Sequence, residues 1–294
     1  MSHSSRRSFL KTTGAVAAAA LVGSRRLAAA PLSQPIGLQL YSVRDLLPKD
    51  FDGTLHQLSA AGYKVVEAAG YYNKSASEFR HAMDQAGLRC VSTHHPLPVL
   101  RPQLDQLIEY GNALGLEYMI CSSAGGVHRD PSLKGGELSL DDWRYVADEF
   151  NKIGEKVKAA GMTFGVHNHI PEFANESGVV VYDELLRLTD PKLVVFEMDS
   201  GWVTAAGHNP VDYLSKSPAR FPLMHVKDME HQPNDRFHSV VLGHGVVDYR
   251  PILRAASSLK YYFIEQEEFK GDPMTELRED ANYMRDFSPG PRSA

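Results

Sequence analysis

The sequence predicts a parallel α/β barrel of the (β/α)8 class, and three observations carry that expectation. Apolar runs of strand length alternate eight times with amphipathic stretches of helix length from Ile36 onward, the pattern of a parallel sheet with helical crossovers. Four of the later runs lead into metal-ligand residue types, at His167, Asp199, His225 and Glu265. The stretches that follow strands are longer and more polar than those that precede them, notably Ser122 to Ser139 and Met229 to Val247. Loops after strands are where a barrel keeps its site.

Strands are expected at Ile36 to Tyr41, Lys64 to Ala68, Arg89 to Thr93, Tyr118 to Cys121, Thr163 to His167, Leu193 to Asp199, Leu223 to Val226 and Tyr261 to Ile264. Helices are expected near Phe51 to Ala61, Ser77 to Ala86, Gln103 to Leu114, Leu140 to Ala160, Val181 to Leu188, Val211 to Ser217, Tyr249 to Ser258 and Met274 to Phe287. Gly62, Gly87 and Gly161 each stop a helix just before a strand, because glycine readily takes the left-handed conformation that ends a helix. The tail from Ser288 to Ala294 reads as frayed, and no second domain or short repeat stands out.

The chain has 294 residues, room for one barrel of about 250 residues. It is 43% apolar and 23% charged, with a net charge of -5, which gives ample core material. Such a charge offers no broad basic field for a phosphate backbone, so the expected partner is a small polar ligand and not nucleic acid. Cys90 and Cys121, the only cysteines, fall inside expected strands and read as buried free thiols.

Residues 1–30 read as an export signal and 31–294 as a single catalytic barrel domain. Ser5-Arg6-Arg7-Ser8-Phe9-Leu10-Lys11 precedes an alanine-rich apolar run from Gly14 to Gly23, then Ala28-Ala29-Ala30. The apolar run is too short to span a bilayer. The paired arginines resemble the twin-arginine export signal, which implies passage through the twin-arginine translocation machinery to the periplasm. Pro31 disfavours a cut directly after Ala30; a cut after Ala29 avoids it, and an uncleaved segment would anchor the protein to the membrane. Signals of this class serve proteins exported already folded, often with a cofactor in place, a route that suits a metal site and unpaired thiols.

His167 and His169 are spaced i and i+2 at the end of an apolar run, and on a strand that spacing points both imidazoles to one side. The ends of parallel barrel strands meet at one mouth, so His167, Asp199, His225 and Glu265 are candidates to grip a single ion. Two imidazoles and two carboxylates suit manganese, cobalt, zinc or iron and would be unusual for calcium. A lone histidine is more often structural, and a strand-end carboxylate often just caps the next helix; recurrence at four consecutive strands lifts the set above its parts. Weaker candidates for substrate contact are Gln39, Tyr41, Glu67, His94, Lys227 and Arg236, with Trp202 as a wall for a sugar's apolar face. At least one of His94 and His95, which precede Pro96, is expected on a solvent-facing loop. His128, His208, His231 and His238 read as loop residues, and His244 is of interest for its glycine motif.

The chain resembles the xylose isomerase-like barrels, which include tagatose epimerase, inosose dehydratase and AP endonuclease. The likeness runs through Gly37-Leu38-Gln39-Leu40-Tyr41-Ser42-Val43-Arg44, Gly62-Tyr63-Lys64-Val65-Val66-Glu67, His167-Asn168-His169 with Glu172-Phe173, and Asp199 with Trp202. It continues through His225-Val226-Lys227-Asp228, Leu242-Gly243-His244-Gly245 with Asp248, and Glu265. The resemblance implies a metal held by one residue from each of strands five to eight, which here are His167, Asp199, His225 and Glu265. It also implies a departure: the epimerase branch carries a glutamate on strand five, whereas His167 is similar to the H-x-H spelling of the inosose dehydratase branch.

A divalent metal that chelates a sugar's carbonyl and neighbouring hydroxyl acidifies the carbon-bound proton between them. Glu265 or Glu267 is then the expected base, with His169 serving from the other side. The leading expectation is an isomerase or epimerase acting on an unphosphorylated sugar or keto-sugar, because no phosphate-binding glycine signature follows Glu265. The runner-up is a lyase of the dehydratase type acting on a 3-keto-glycoside or inosose. A non-catalytic sugar-binding barrel comes third. An AP endonuclease fits poorly, since the chain is acidic and short of ligands for three metals. Homo-oligomerisation is left open.

Overall fold

A computed structural model describes residues 32–290, apart from 134, 234 and 235. The export signal lies outside the described residues. Eight parallel strands close a barrel: β1 (Ile36–Gln39), β2 (Val65–Ala68), β3 (Arg89–His95), β4 (Tyr118–Cys121), β5 (Thr163–His167), β6 (Val194–Asp199), β7 (Leu223–Val226) and β8 (Tyr261–Ile264). Closure is direct: Ile36 pairs with Tyr262 across β1 and β8.

Around the barrel run α1 (Phe51–Ala61), α2 (Ala76–Ala86), α3 (Leu97–Leu114), α4 (Leu140–Ala159), α5 (Val181–Leu188), α6 (Ser200–Ala205), α7 (Pro210–Lys216), α8 (Tyr249–Ala255) and α9 (Pro273–Asp286). Most of their first turns are capped by short polar side chains, as at Ser75 and Ser139, where each serine pairs reciprocally with an acidic residue three positions on, while α3 and α5 start after Pro96 and Val180 without one. Such caps satisfy backbone N–H groups that the helix itself leaves unpaired.

Every expected strand and helix forms, with differences of extent; β1, expected to reach Tyr41, stops at Gln39 because Leu40–Val43 wind into a 3-10 turn. The helix expected from Gln103 begins at Leu97, because Pro98 lies in the first turn, where a missing N–H costs nothing, and Pro102 is carried within the helix. His94 and His95 both lie on β3 and neither is exposed, and α3 follows directly after Pro96, so the expected solvent-facing loop does not form. The short α6 after β6 was not expected; it forms because Asp199 caps it, its carboxylate accepting from Trp202 N. The long stretch after β7 folds back as an antiparallel hairpin, Asp228–His231 against Phe237–Val240.

Inside the barrel, side chains alternate in and out with a period of two. Val65, Val91, Ile120, Leu223 and Phe263 pack together as an apolar plug. Two residues further along the same strands stand Glu67, His225 and Glu265, so the plug floors a polar centre at the C-terminal mouth. Helices and outer strand faces share a second, larger core that includes Phe79, Phe150, Tyr182, Phe196 and Leu277. Cys90 and Cys121 are buried and unbridged.

Candidate metal centre and active site

The ends of β5 to β8 converge as their sequence spacing requires. Register pairs His167 with Glu197 and Asp199 with His225. One candidate ligand atom from each of His167, Asp199, His225 and Glu265 lies within 4.8 Å of all the others. Asp199 performs two tasks with two oxygens: Oδ1 accepts from Trp202 N at 3.0 Å to cap α6. Oδ2 stands 3.9 Å from both His167 Nε2 and His225 Nδ1. Asn168 fixes this corner, accepting from Asp199 N and donating to Asp199 O.

Lys227, read from the sequence as a candidate for substrate contact, lies among the carboxylates of the set. Its side chain is fully buried, and Nζ lies 2.9 Å from Asp199 Oδ2, 2.8 Å from Glu265 Oε2 and 2.6 Å from Glu267 Oε1. The contact with Asp199 is an ion pair without hydrogen-bond alignment, which leaves Oδ2 a buried acceptor with no hydrogen-bond partner. Burial acts to lower the Lys227 pKa, but Asp199 and Glu265 outweigh it and hold the ammonium well above its ordinary value. Burial acts to raise Glu265, yet Lys227 and His225 keep its carboxylate ionised. Burial raises Glu267, against the pull of Lys227, so of the two glutamates Glu267 has the greater affinity for a proton.

Below this layer lies a second one that sequence reasoning did not assemble. Glu197 Oε2 is 2.6 Å from His94 Nε2, 3.2 Å from His167 Nδ1 and 3.2 Å from His225 Nε2. Glu67 Oε1 is 2.8 Å from both His94 Nε2 and His225 Nε2, and Glu67 also accepts from Gln39 Nε2 at 2.7 Å and from Ser92 Oγ. Burial would lower His94, but Glu67 and Glu197 leave it at about 9. Burial, His225 and the other imidazoles keep His167 neutral. The signal for Glu197 was in the sequence: it precedes Asp199 by two residues and so shares its inward face.

A cavity of about 1090 Å³ opens over the centre, and Glu265, Glu267, His94, His167, His169 and Tyr41 line it. His169 is neutral, lowered to about 3 by burial and by Lys227, and its ring lies 4.7 Å from that of His167. Gln39 and Glu67 are fully buried below the cavity. The half-buried Trp202 turns its ring to Lys227 Nζ at 4.7 Å. Arg236 is exposed on the hairpin turn, where its carbonyl accepts from Gln232 N. The glycine motif serves the backbone: Asp228 accepts from the amides of Gly243, Gly245 and Val247 and from its neighbour Met229. His128 belongs to the cap of α4 through Asp142.

These residues fit a transition metal. Imidazole and carboxylate donors converge, Asp199 Oδ2 lacks a hydrogen-bond partner, and an ammonium already sits where positive charge is demanded.

Fold and site together define a (β/α)8-barrel protein with a histidine–carboxylate centre at its C-terminal mouth. A family profile described as xylose isomerase-like TIM barrel matches residues 55–287, and the chain belongs to that family. A twin-arginine translocation signal profile matches residues 3–23. The chain is 22% identical over 275 residues to an inosose dehydratase of Lacticaseibacillus casei, covering 83% of this chain and 92% of that protein. An inosose dehydratase of Geobacillus kaustophilus is 25% identical over 243 residues, with coverage of 71% and 77%. A solved sugar phosphate isomerase/epimerase of Parabacteroides distasonis superposes with a TM-score of 0.71 at 27% identity, covering 86% of this chain and 94% of that one. Among the described residues no helix is long and apolar enough to cross a membrane.

Proposed function

We propose that the chain is an exported, periplasmic, divalent-metal-dependent sugar isomerase or epimerase, acting on an unphosphorylated sugar or keto-sugar. The observation that carries this reading is the juxtaposition of a buried two-imidazole, two-carboxylate ligand set with Glu267 and His169 at the floor of one cavity. His167, Asp199, His225 and Glu265 would hold the metal, with manganese, cobalt, zinc and iron as the candidates. Bound there, the metal supplies Lewis acidity toward a chelated carbonyl and hydroxyl.

The protein's own groups divide the remaining work. Glu267 takes the carbon-bound proton: it lines the cavity, and burial makes it a better base than the strongly ionised Glu265. Lys227 Nζ, hydrogen-bonded to Glu267, holds that carboxylate in place and supplies positive charge beside developing oxyanion character. His169 stays neutral and suits holding a sugar hydroxyl from the β5 end of the mouth.

A second reading rests on His167. In place of a carboxylate at the end of β5 the chain presents an imidazole, and the curated relatives of similar length carry the name inosose dehydratase. On that reading the same proton removal is followed by departure of a β-hydroxyl or β-alkoxyl, giving an unsaturated ketone. One experiment separates the readings: the metal-loaded protein is incubated in deuterium oxide with common sugars and their 3-keto derivatives, and products are followed by NMR. Deuterium entering an isomer or epimer supports the first reading, a conjugated enone the second. Unchanged ligand across the panel would point instead to a sugar-binding barrel.

A further inference from the structure

We propose that the barrel contains a second cation seat one layer below the mouth, formed by His94, His167, Glu197 and His225 with Glu67 as a further donor. The inference rests on the reading of the barrel as a metal protein, and not on which reaction it catalyses.

The argument starts from the two imidazoles common to both layers. His225 presents Nδ1 upward, 2.9 Å from Glu265 Oε2, and Nε2 downward, 2.8 Å from Glu67 Oε1 and 3.2 Å from Glu197 Oε2. His167 likewise presents Nε2 toward Asp199 and Nδ1 toward Glu197. His94 adds a third nitrogen, whose neighbours are Glu67 and Glu197 at 2.8 and 2.6 Å. One ligand atom from each of His94, His167, Glu197 and His225 lies within 4.8 Å of the others, and Glu67 stands beside two of them.

Hydrogen bonding alone serves this cluster poorly. A single N–H bond has one direction, yet His94 Nε2 and His225 Nε2 each face two carboxylates. Glu197 Oε2 collects three nitrogens while Oε1 of the same carboxylate is buried with no partner at all. A cation treats such a set differently. With donor distances of about 2.0–2.2 Å, neighbouring ligand atoms on one tetrahedral metal stand about 3.3–3.6 Å apart, so the pairs now at 2.6–2.8 Å open by about 0.5–1 Å when an ion enters. The ammonium of Lys227 reaches Asp199, Glu265 and Glu267, so the upper layer already holds a cation of its own. Three imidazoles favour zinc, cobalt, iron, nickel or copper over magnesium or calcium. His94, which lines the cavity, gives the deep seat its approach from solvent. Because His167 and His225 offer one nitrogen to each layer, a neutral imidazole can serve only one seat at a time, so the two seats are alternatives for a single ion: the deep one without a sugar, and the mouth one when a sugar's carbonyl and hydroxyl add their oxygens.

The test uses the full-length protein loaded with zinc, with the imidazole shell counted by X-ray absorption and affinity measured by equilibrium dialysis. The deep seat predicts three imidazoles around zinc and at least a tenfold loss of affinity in His94→Ala and in Glu197→Gln. It further predicts that Asp199→Asn, which weakens only the upper layer, retains the three-imidazole shell. Circular dichroism confirms that each variant is folded, and a zinc-induced rise in melting temperature in Asp199→Asn gives a second readout. A two-imidazole shell that is unchanged in His94→Ala and lost in Asp199→Asn would overturn the proposal. Deuterium exchange into a sugar is scored separately: exchange with a two-imidazole shell keeps the proposed function and removes the deep seat, and a three-imidazole shell without exchange does the reverse.

Discussion

Lys227 shows how far one buried charge can organise a site. An ammonium taken fully out of water is tolerated because three carboxylates surround it, and they in turn are tolerated because of it. Lys227→Met leaves Asp199, Glu265 and Glu267 facing one another without compensation. The expected outcome is a loss of about 3–5 kcal/mol in stability, part of which returns when a divalent metal is added. Thermal unfolding with and without metal measures both effects, and an unchanged melting temperature would show that the ammonium is not the keystone of the cluster. Glu267→Gln isolates the proton-transfer step. Deuterium incorporation should fall on the order of 10²–10⁴-fold while bound metal, counted by elemental analysis, stays at the wild-type level.

At the scale of elements, the connection after β7 is gathered onto one carboxylate. Four backbone amides, those of Met229, Gly243, Gly245 and Val247, donate to the one carboxylate of Asp228. Gly243 has φ +85, a conformation other residues resist, and a Cβ on Gly245 would fall 2.3 Å from Asp228 Oδ1 and 2.4 Å from Met229 O. Gly245→Ala is therefore expected to destabilise the protein by about 1–3 kcal/mol through steric conflict in a closely packed site. Melting measurements against wild type test this, and an unchanged melting temperature would show that the loop gives way to the added methyl. The glycine motif that drew attention to His244 is explained by this packing around Asp228, and Asp228 itself continues the β7 ligand strand away from the centre.

Across the whole molecule, pH enters through buried carboxyls outside the centre. Asp280 on α9 accepts from Leu242 N, leaves Oδ2 without a partner, and is raised by burial from 3.8 to about 7. The folded state therefore binds a proton that the unfolded chain releases between about pH 4 and pH 7. Stability from this group is complete below the lower value and is lost as pH rises through the upper one. Asp280→Asn should stabilise relative to wild type at pH 8 and lose that advantage at pH 5. Equal shifts in melting temperature at the two pH values would refute the assignment. The same α9 packs against the start of the barrel, where Leu277 O accepts from Tyr63 Oη.

Periodicity in the sequence was enough to place all eight barrel strands, most of the helices between them and the convergence of His167, Asp199, His225 and Glu265, because alternation of period two fixes which side chains face the axis. Its reach ended where contacts join distant strands. Glu197 lies two positions before Asp199 on the same inward face, yet its importance comes from His94 on β3 and His225 on β7. Lys227, Gln39 and Glu67 read alike as candidates for substrate contact, and only the fold places Lys227 among three carboxylates and buries Gln39 and Glu67 fully. The sequence by itself determined the barrel, its polar mouth and the export signal, since those follow from local pattern. Only the tertiary structure decided that the centre has two layers sharing two imidazoles, because the direction in which each ring nitrogen points depends on partners that chain order does not bring together.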